Sequence, residues 1–190
     1  MQTKEDLRII KTKRKLFDTF MLLLEHKLYD EITVNELCSK ANVRRATFYK
    51  HFSDKITFAT YVIRRLRDNF DEAIWKKDNA GYTAEYYTAY AGASVEYFDT
   101  HEAVVNNILN APSAGEILSL IVTVNQKDTQ IRLTESLELG LTLPSSADVV
   151  ASMLIGGACS ILYNWLKQNK KQNKDNLKEN LCSCICAVFK

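Results

Sequence analysis

Proline and glycine are scarce in this chain, with 2 and 6 among 190 residues. An all-β domain needs turn residues at about every 8–12 positions, so such a composition argues against one. The five cysteines, Cys38, Cys159, Cys182, Cys184 and Cys186, are odd in number and lack the spacing of a disulfide framework, so reduced thiols are expected. No Gly-rich phosphate loop, nucleophile elbow or His-Glu-x-x-His motif occurs, which removes the common signatures of enzyme chemistry. No run of about 18 consecutive apolar residues stands out, and the start MQTKEDLRIIKTKRK has no apolar core of a signal peptide. These absences predict a cytoplasmic protein that is not an enzyme, needs no cofactor and has no membrane partner.

Charge is nearly balanced overall, at +2, but it is unevenly placed. Residues 1–55 hold 12 Lys/Arg against 8 Asp/Glu, a net of +4, and the remainder carries −2. A local positive excess on a small segment is what a polyanion would meet.

The segment Ile32–Lys55 reads as two short helices separated by a tight turn. Thr33 is placed to cap the first helix, with Glu36 three residues on to complete a capping box. Asn42 tolerates the left-handed backbone that ends a helix, and Val43 follows it as an apolar plug. The second helix turns Phe48 and Phe52 inward and Arg44, Arg45, Thr47, Tyr49, Lys50 and His51 outward. A major groove about 12 Å wide admits such a helix, and arginine can bond guanine N7 and O6 together. Hydroxyls and lysine suit phosphate oxygens. Lys55, in the first turn of the next helix, is expected to hold a phosphate with the helix N-terminus.

Ile32-Thr33-Val34, Ala41-Asn42-Val43, Thr47-Phe48-Tyr49-Lys50-His51-Phe52 and Lys55 resemble the amino-terminal domain of the TetR family of bacterial transcription regulators, over about Thr12–Phe58. Asn42 stands where that family usually has the turn glycine, Arg44 where it has a capping serine, and Ala46 where it has a small glycine. The resemblance implies an all-α fold, with a three-helix DNA-binding domain (residues 1–54) before a helical regulatory and dimerisation domain (residues 55–190). It also implies a homodimer on a palindromic double-stranded DNA operator, acting as a repressor that answers a small-molecule effector. The alternative is a regulator fold that has lost operator binding and acts as a ligand-dependent coactivator through protein partners.

Apolar spacing predicts helices near 5–27, 56–74, 82–100, 101–110, 116–139, 145–167 and 175–189, with a loop at Lys76–Gly81. Ser152, Gly156, Gly157 and Ser160 place small side chains along an apolar helix that ends in Trp165. A helical glycine costs about 1 kcal/mol relative to alanine unless close approach offsets it, and these five residues are the expected dimer interface. Packing inside one subunit would explain the pattern as well. Tyr61, Arg65, Tyr86 and Tyr90, with Trp75 nearby, are candidates to line an effector pocket, against the plainer reading of ordinary core. The Cys182-x-Cys184-x-Cys186 run cannot converge on one metal from a helix, so the cysteines are expected to be small buried hydrophobes and no metal is expected.

Overall fold

The computed structural model describes residues 4–74, 82–168, 170 and 172–189. Among them the chain forms α1 (Lys4–Leu24), a 3-10 turn (Tyr29–Glu31), α2 (Val34–Lys40), α3 (Arg45–His51), α4 (Lys55–Ile74), α5 (Ala84–Thr100), α6 (Glu102–Leu109), α7 (Ala114–Glu138), α8 (Ala147–Lys167) and α9 (Lys174–Val188). The described fold is all-α, as the resemblance implies. Trp75 and the Lys76–Gly81 loop lie outside the described residues.

Two compact units emerge. The first comprises 1–63 and 101–118, and the second 64–100 and 119–190. This division differs from a cut after residue 54 in two ways. The start of α4 stays with the first unit, and α6 returns to it.

In the first unit the core is aromatic. Phe48 and Phe58 are fully buried, Phe58 packs edge-on against Phe20 at 5.2 Å and Phe52 at 5.1 Å, and Leu16, Leu24, Ile32 and Leu37 fill the remainder. Burying such side chains contributes about 1.5–3 kcal/mol each. α6 closes this core with Val104 and Val105, both buried. It is fastened by Asn107, whose side-chain amide donates to the Leu24 carbonyl at 2.8 Å. Just beyond α6, Ser113 donates through its backbone N–H and its hydroxyl to the Asp30 carboxylate at 2.9 and 2.7 Å.

The second unit packs α9 along α5 through Leu177, Leu181 and Ile185, with Tyr87, Val95, Leu133, Val150 and Trp165 in the same core. At its edge Lys174 bridges Glu96 and Asp99 at 3.0 and 3.1 Å, and Lys178 also reaches Glu96. Trp165 is 4% exposed and its indole N–H donates to the Gln172 carbonyl at 3.0 Å, so it is core and is withdrawn from the expected dimer surface. The cysteine expectation is also corrected, because Cys184 and Cys186 are exposed and Cys182 is half-buried. Among the described residues no group of three His, Cys, Asp or Glu is placed to hold a metal.

α8 is the most apolar of the described helices on average, although it holds no unbroken run of 18 apolar residues. It is long and apolar enough to cross a membrane, with a mean hydropathy of 1.6 over its best 18-residue window, a stretch disguised in sequence by its Gly, Ala and Ser. Val150, Ala151 and Leu162 face the core, while Val149, Met153 and Ile161 are exposed. One such helix is ordinary in a helical bundle.

Candidate nucleic-acid interface

The turn between α2 and α3 is built from backbone rules. Thr33 caps α2 by accepting from the Glu36 N–H at 3.1 Å. The reciprocal half of the capping box is absent, because the Glu36 carboxylate turns to Lys27 at 2.7 Å and Lys40 at 3.7 Å. Lys27, through its hydrogen bond, is the first cause that holds Glu36 below its usual pKa. At the other end the N–H of Val43 bonds the Cys38 carbonyl at 2.9 Å and that of Asn42 bonds Ser39 at 3.2 Å, a Schellman closure. It requires a left-handed residue, and Asn42 has φ 53°. An asparagine side chain tolerates that conformation better than other non-glycine residues do.

α3 leaves this turn with Arg44 as its N-cap, in extended backbone and without a side-chain cap bond. The Arg44 guanidinium is thereby left to act outward. Phe48 anchors the helix from beneath, and Phe52 ends it by returning its N–H to the Phe48 carbonyl at 2.9 Å. Arg44, Arg45, Ala46, Tyr49 and Lys50 are exposed; Thr47 and His51 are half-buried. Arg45 lies 5.8 Å from the Tyr49 ring centroid, so the two present a stacked cation and phenol on one face. Burial, then Lys13 and Lys50, push the His51 pKa down, leaving a neutral imidazole beside two cations. Lys13 of α1 reaches to 5.6 Å from both the Phe52 and Tyr61 rings and so extends the positive face toward the end of α3.

Lys55 departs from its expected role. Its ammonium lies 4.0 Å from the Tyr29 ring centroid and donates to the Tyr29 carbonyl at 2.5 Å. Half-burial lowers its pKa, against the opposing pull of Asp30. The α4 N-terminus is also occupied, because Asp54 accepts from the Thr57 N–H at 2.6 Å. Here the lysine turns inward to Tyr29 and the helix N-terminus is capped by an anion, which is the geometry of a structural clamp.

The effector candidates divide between the units. Tyr61 belongs to the first, packed on Phe52 at 5.4 Å. Arg65, Tyr86 and Tyr90 belong to the second, where Arg65 pairs with Glu72 at 3.5 Å. Tyr86 is 2% exposed, donates to Asp71 at 2.6 Å and accepts from Arg132, which itself pairs with Asp71 at 2.5 Å. Its hydroxyl is fully engaged in holding three helices. Burial pushes the Tyr90 hydroxyl up to about 12. Sequence inspection missed Arg67, which is 3% exposed beside Tyr90; its only signal was a cation on the apolar side of a helix.

The sequence model for bacterial regulatory proteins of the tetR family matches residues 21–58, which hold the last turn of α1, the 3-10 turn, α2, α3 and the start of α4. An uncharacterised HTH-type transcriptional regulator of Bacillus subtilis, YxbF, is 36% identical over 61 residues, spanning 32% of this chain and 16% of that protein. Similarity in fold extends much further. A TetR-family regulator structure from Rhodococcus sp. superposes with a TM-score of 0.66 at 13% identity, over 95% of this chain and 99% of its own. One from Syntrophomonas wolfei gives 0.63 at 16% identity over 92% and 93%, and one from Streptococcus agalactiae gives 0.56 at 22% over 95% and 97%. Residues 21–58 thus carry the DNA-binding domain of the tetR family of bacterial regulatory proteins, and the fold of the chain is that of solved TetR-family regulators.

Proposed function

We propose that the protein is a homodimeric repressor that reads a two-fold symmetric operator with α3 and releases it on binding a small organic effector. The observation that carries the reading is the exposed Arg44, Arg45, Tyr49 and Lys50 face on a helix fixed from behind by Phe48 and Phe52. Arg45 is assigned to a base edge; Arg44, Thr47, Tyr49 and Lys50 are assigned to phosphates or neighbouring bases, and His51 to the margin of the contact. Lys55 is assigned to the fold. Two copies would meet through the exposed side of α8, where Ser152, Gly157 and Ser160 allow close approach beside Val149 and Met153, with Gly156 half-buried at its margin.

The test is a mobility-shift assay on fragments of the DNA upstream of the protein's own gene and its neighbours. Wild type should bind one fragment specifically. Arg45→Ala should weaken that complex by about 1–3 kcal/mol, roughly 5- to 150-fold, and relax sequence preference. Specific binding that is unchanged in Arg45→Ala removes the base-reading assignment. Failure of wild type to bind any fragment favours action through a protein partner.

A further inference from the structure

The strongest unexplained feature of the second unit is a buried cation without an anion. Arg67 of α4 is 3% exposed, yet its guanidinium bonds only neutral acceptors. These are the Asn125 carbonyl at 3.1 Å, the Asn125 side-chain oxygen at 3.4 Å and the Thr129 hydroxyl at 3.3 Å. Its Nε is buried and has no hydrogen-bond partner. The nearby carboxylate of Asp71 is occupied on both oxygens, by Arg132 and by Tyr86. Among the described residues no ion pair reaches Arg67. Buried charges are ordinarily paired, because an isolated one forfeits hydration without recompense.

The surroundings fit an organic anion. Tyr90 covers the guanidinium at 5.5 Å, with Phe70 edge-on to Tyr90 at 5.5 Å, and the Tyr87 hydroxyl is buried with no partner. The bonds that a ligand would displace are weak: Arg67 and Tyr90 both reach the same Asn125 oxygen at 3.4 Å. A planar carboxylate can take Nε–H and an Nη–H side by side, a charge-assisted fork roughly twice as strong as neutral bonds.

We propose that Arg67 is the anchor of an effector site in the second unit and that the effector is a small carboxylate with an apolar or aromatic body. The proposal rests on the ligand-responsive reading above and gives that ligand its chemical class. Arg67 binds the carboxylate; Tyr90 and Phe70 bound its body; the Thr129 hydroxyl and the Asn125 carbonyl hold the guanidinium in place.

Thermal melting of the full chain at fixed ionic strength tests it, with benzoate and butyrate as probes and benzamide and butyramide as uncharged controls. The acids should raise the midpoint of wild type by about 5 °C near saturation, and the amides should not. Arg67→Met should fold and lose the response to the acids. Thr129→Asp, which sets an internal carboxylate beside Nη2, should melt above wild type and no longer respond. The assignment is overturned if acids and amides act alike on wild type. It is also overturned if Arg67→Met retains the wild-type response, or if Thr129→Asp melts lower and still responds. Should Arg67→Met not fold, the wild-type comparison and Thr129→Asp decide alone. No DNA is present in this measurement, so its failure leaves the operator assay standing, and failure of that assay leaves this response standing.

Discussion

Replacing Lys55 by methionine separates a structural clamp from a DNA contact. Methionine keeps most of the aliphatic stem and removes the ammonium that donates to the Tyr29 carbonyl and lies 4.0 Å from that ring centroid. A hydrogen bond from a charged group contributes about 1.5–3 kcal/mol, and a cation over an aromatic face about 0.5–2 kcal/mol. Against these stands the dehydration of a half-buried ammonium, visible in its lowered pKa. The expected net loss is about 1–2 kcal/mol. In a chain of this size that is a fall in Tm of roughly 2–8 °C, read by circular dichroism. The salt dependence of DNA binding gives the second readout, because each phosphate contact contributes about 0.9 to the slope of log K against log salt. The slope should be unchanged in the variant. A wild-type Tm together with a slope shallower by about 0.9 would refute the clamp and restore Lys55 to the phosphate backbone.

Asn42→Gly should preserve or slightly raise stability, whereas Asn42→Ala should cost about 1 kcal/mol, because φ 53° penalises an ordinary Cβ; chemical denaturation of both variants checks the order. Gly157→Leu should fold normally, since a Cβ there meets nothing within 4 Å, but should shift the protein toward monomer in sedimentation if α8 forms the dimer surface. A stable dimer in that variant would move the interface elsewhere. His51 has a folded pKa below its ordinary 6.5, so the unfolded chain binds more protons between the two values and stability falls as pH drops through 6.5. His51→Gln should flatten that part of the Tm-against-pH curve, and an unaltered curve would assign the dependence to another group.

The reading head was legible in the sequence because its signals are local. A cap at Thr33, a left-handed residue at Asn42 and two phenylalanines four apart act within a few positions, and so does the exposure of Arg45 that follows from them. The helices of the second unit were legible from periodicity for the same reason. The side-chain destinations were not. Lys55 is turned inward by a carbonyl 26 positions earlier, and Glu36 is drawn from its cap by Lys27, which lies in the turn after α1. Trp165 looked like interface because a helix pattern does not reveal which apolar residues face the same subunit. Arg67 could not be distinguished from a solvated charge until α5 and α7 were packed around it.

The return of α6 to the first unit has a bearing on how the protein is made. A ribosome that has released residue 63 has released the whole motif that reads DNA, but not the helix that covers part of its core. Asn107 and Val104 arrive only later, and the unit is complete at Leu118, about 55 residues on, roughly 3–11 s at ordinary translation speeds. During that interval the face of α1 that receives α6 is bare apolar surface on a nascent chain. A translational pause before residue 118 would prolong that exposure, because the residues that cover the face are encoded beyond those that form it.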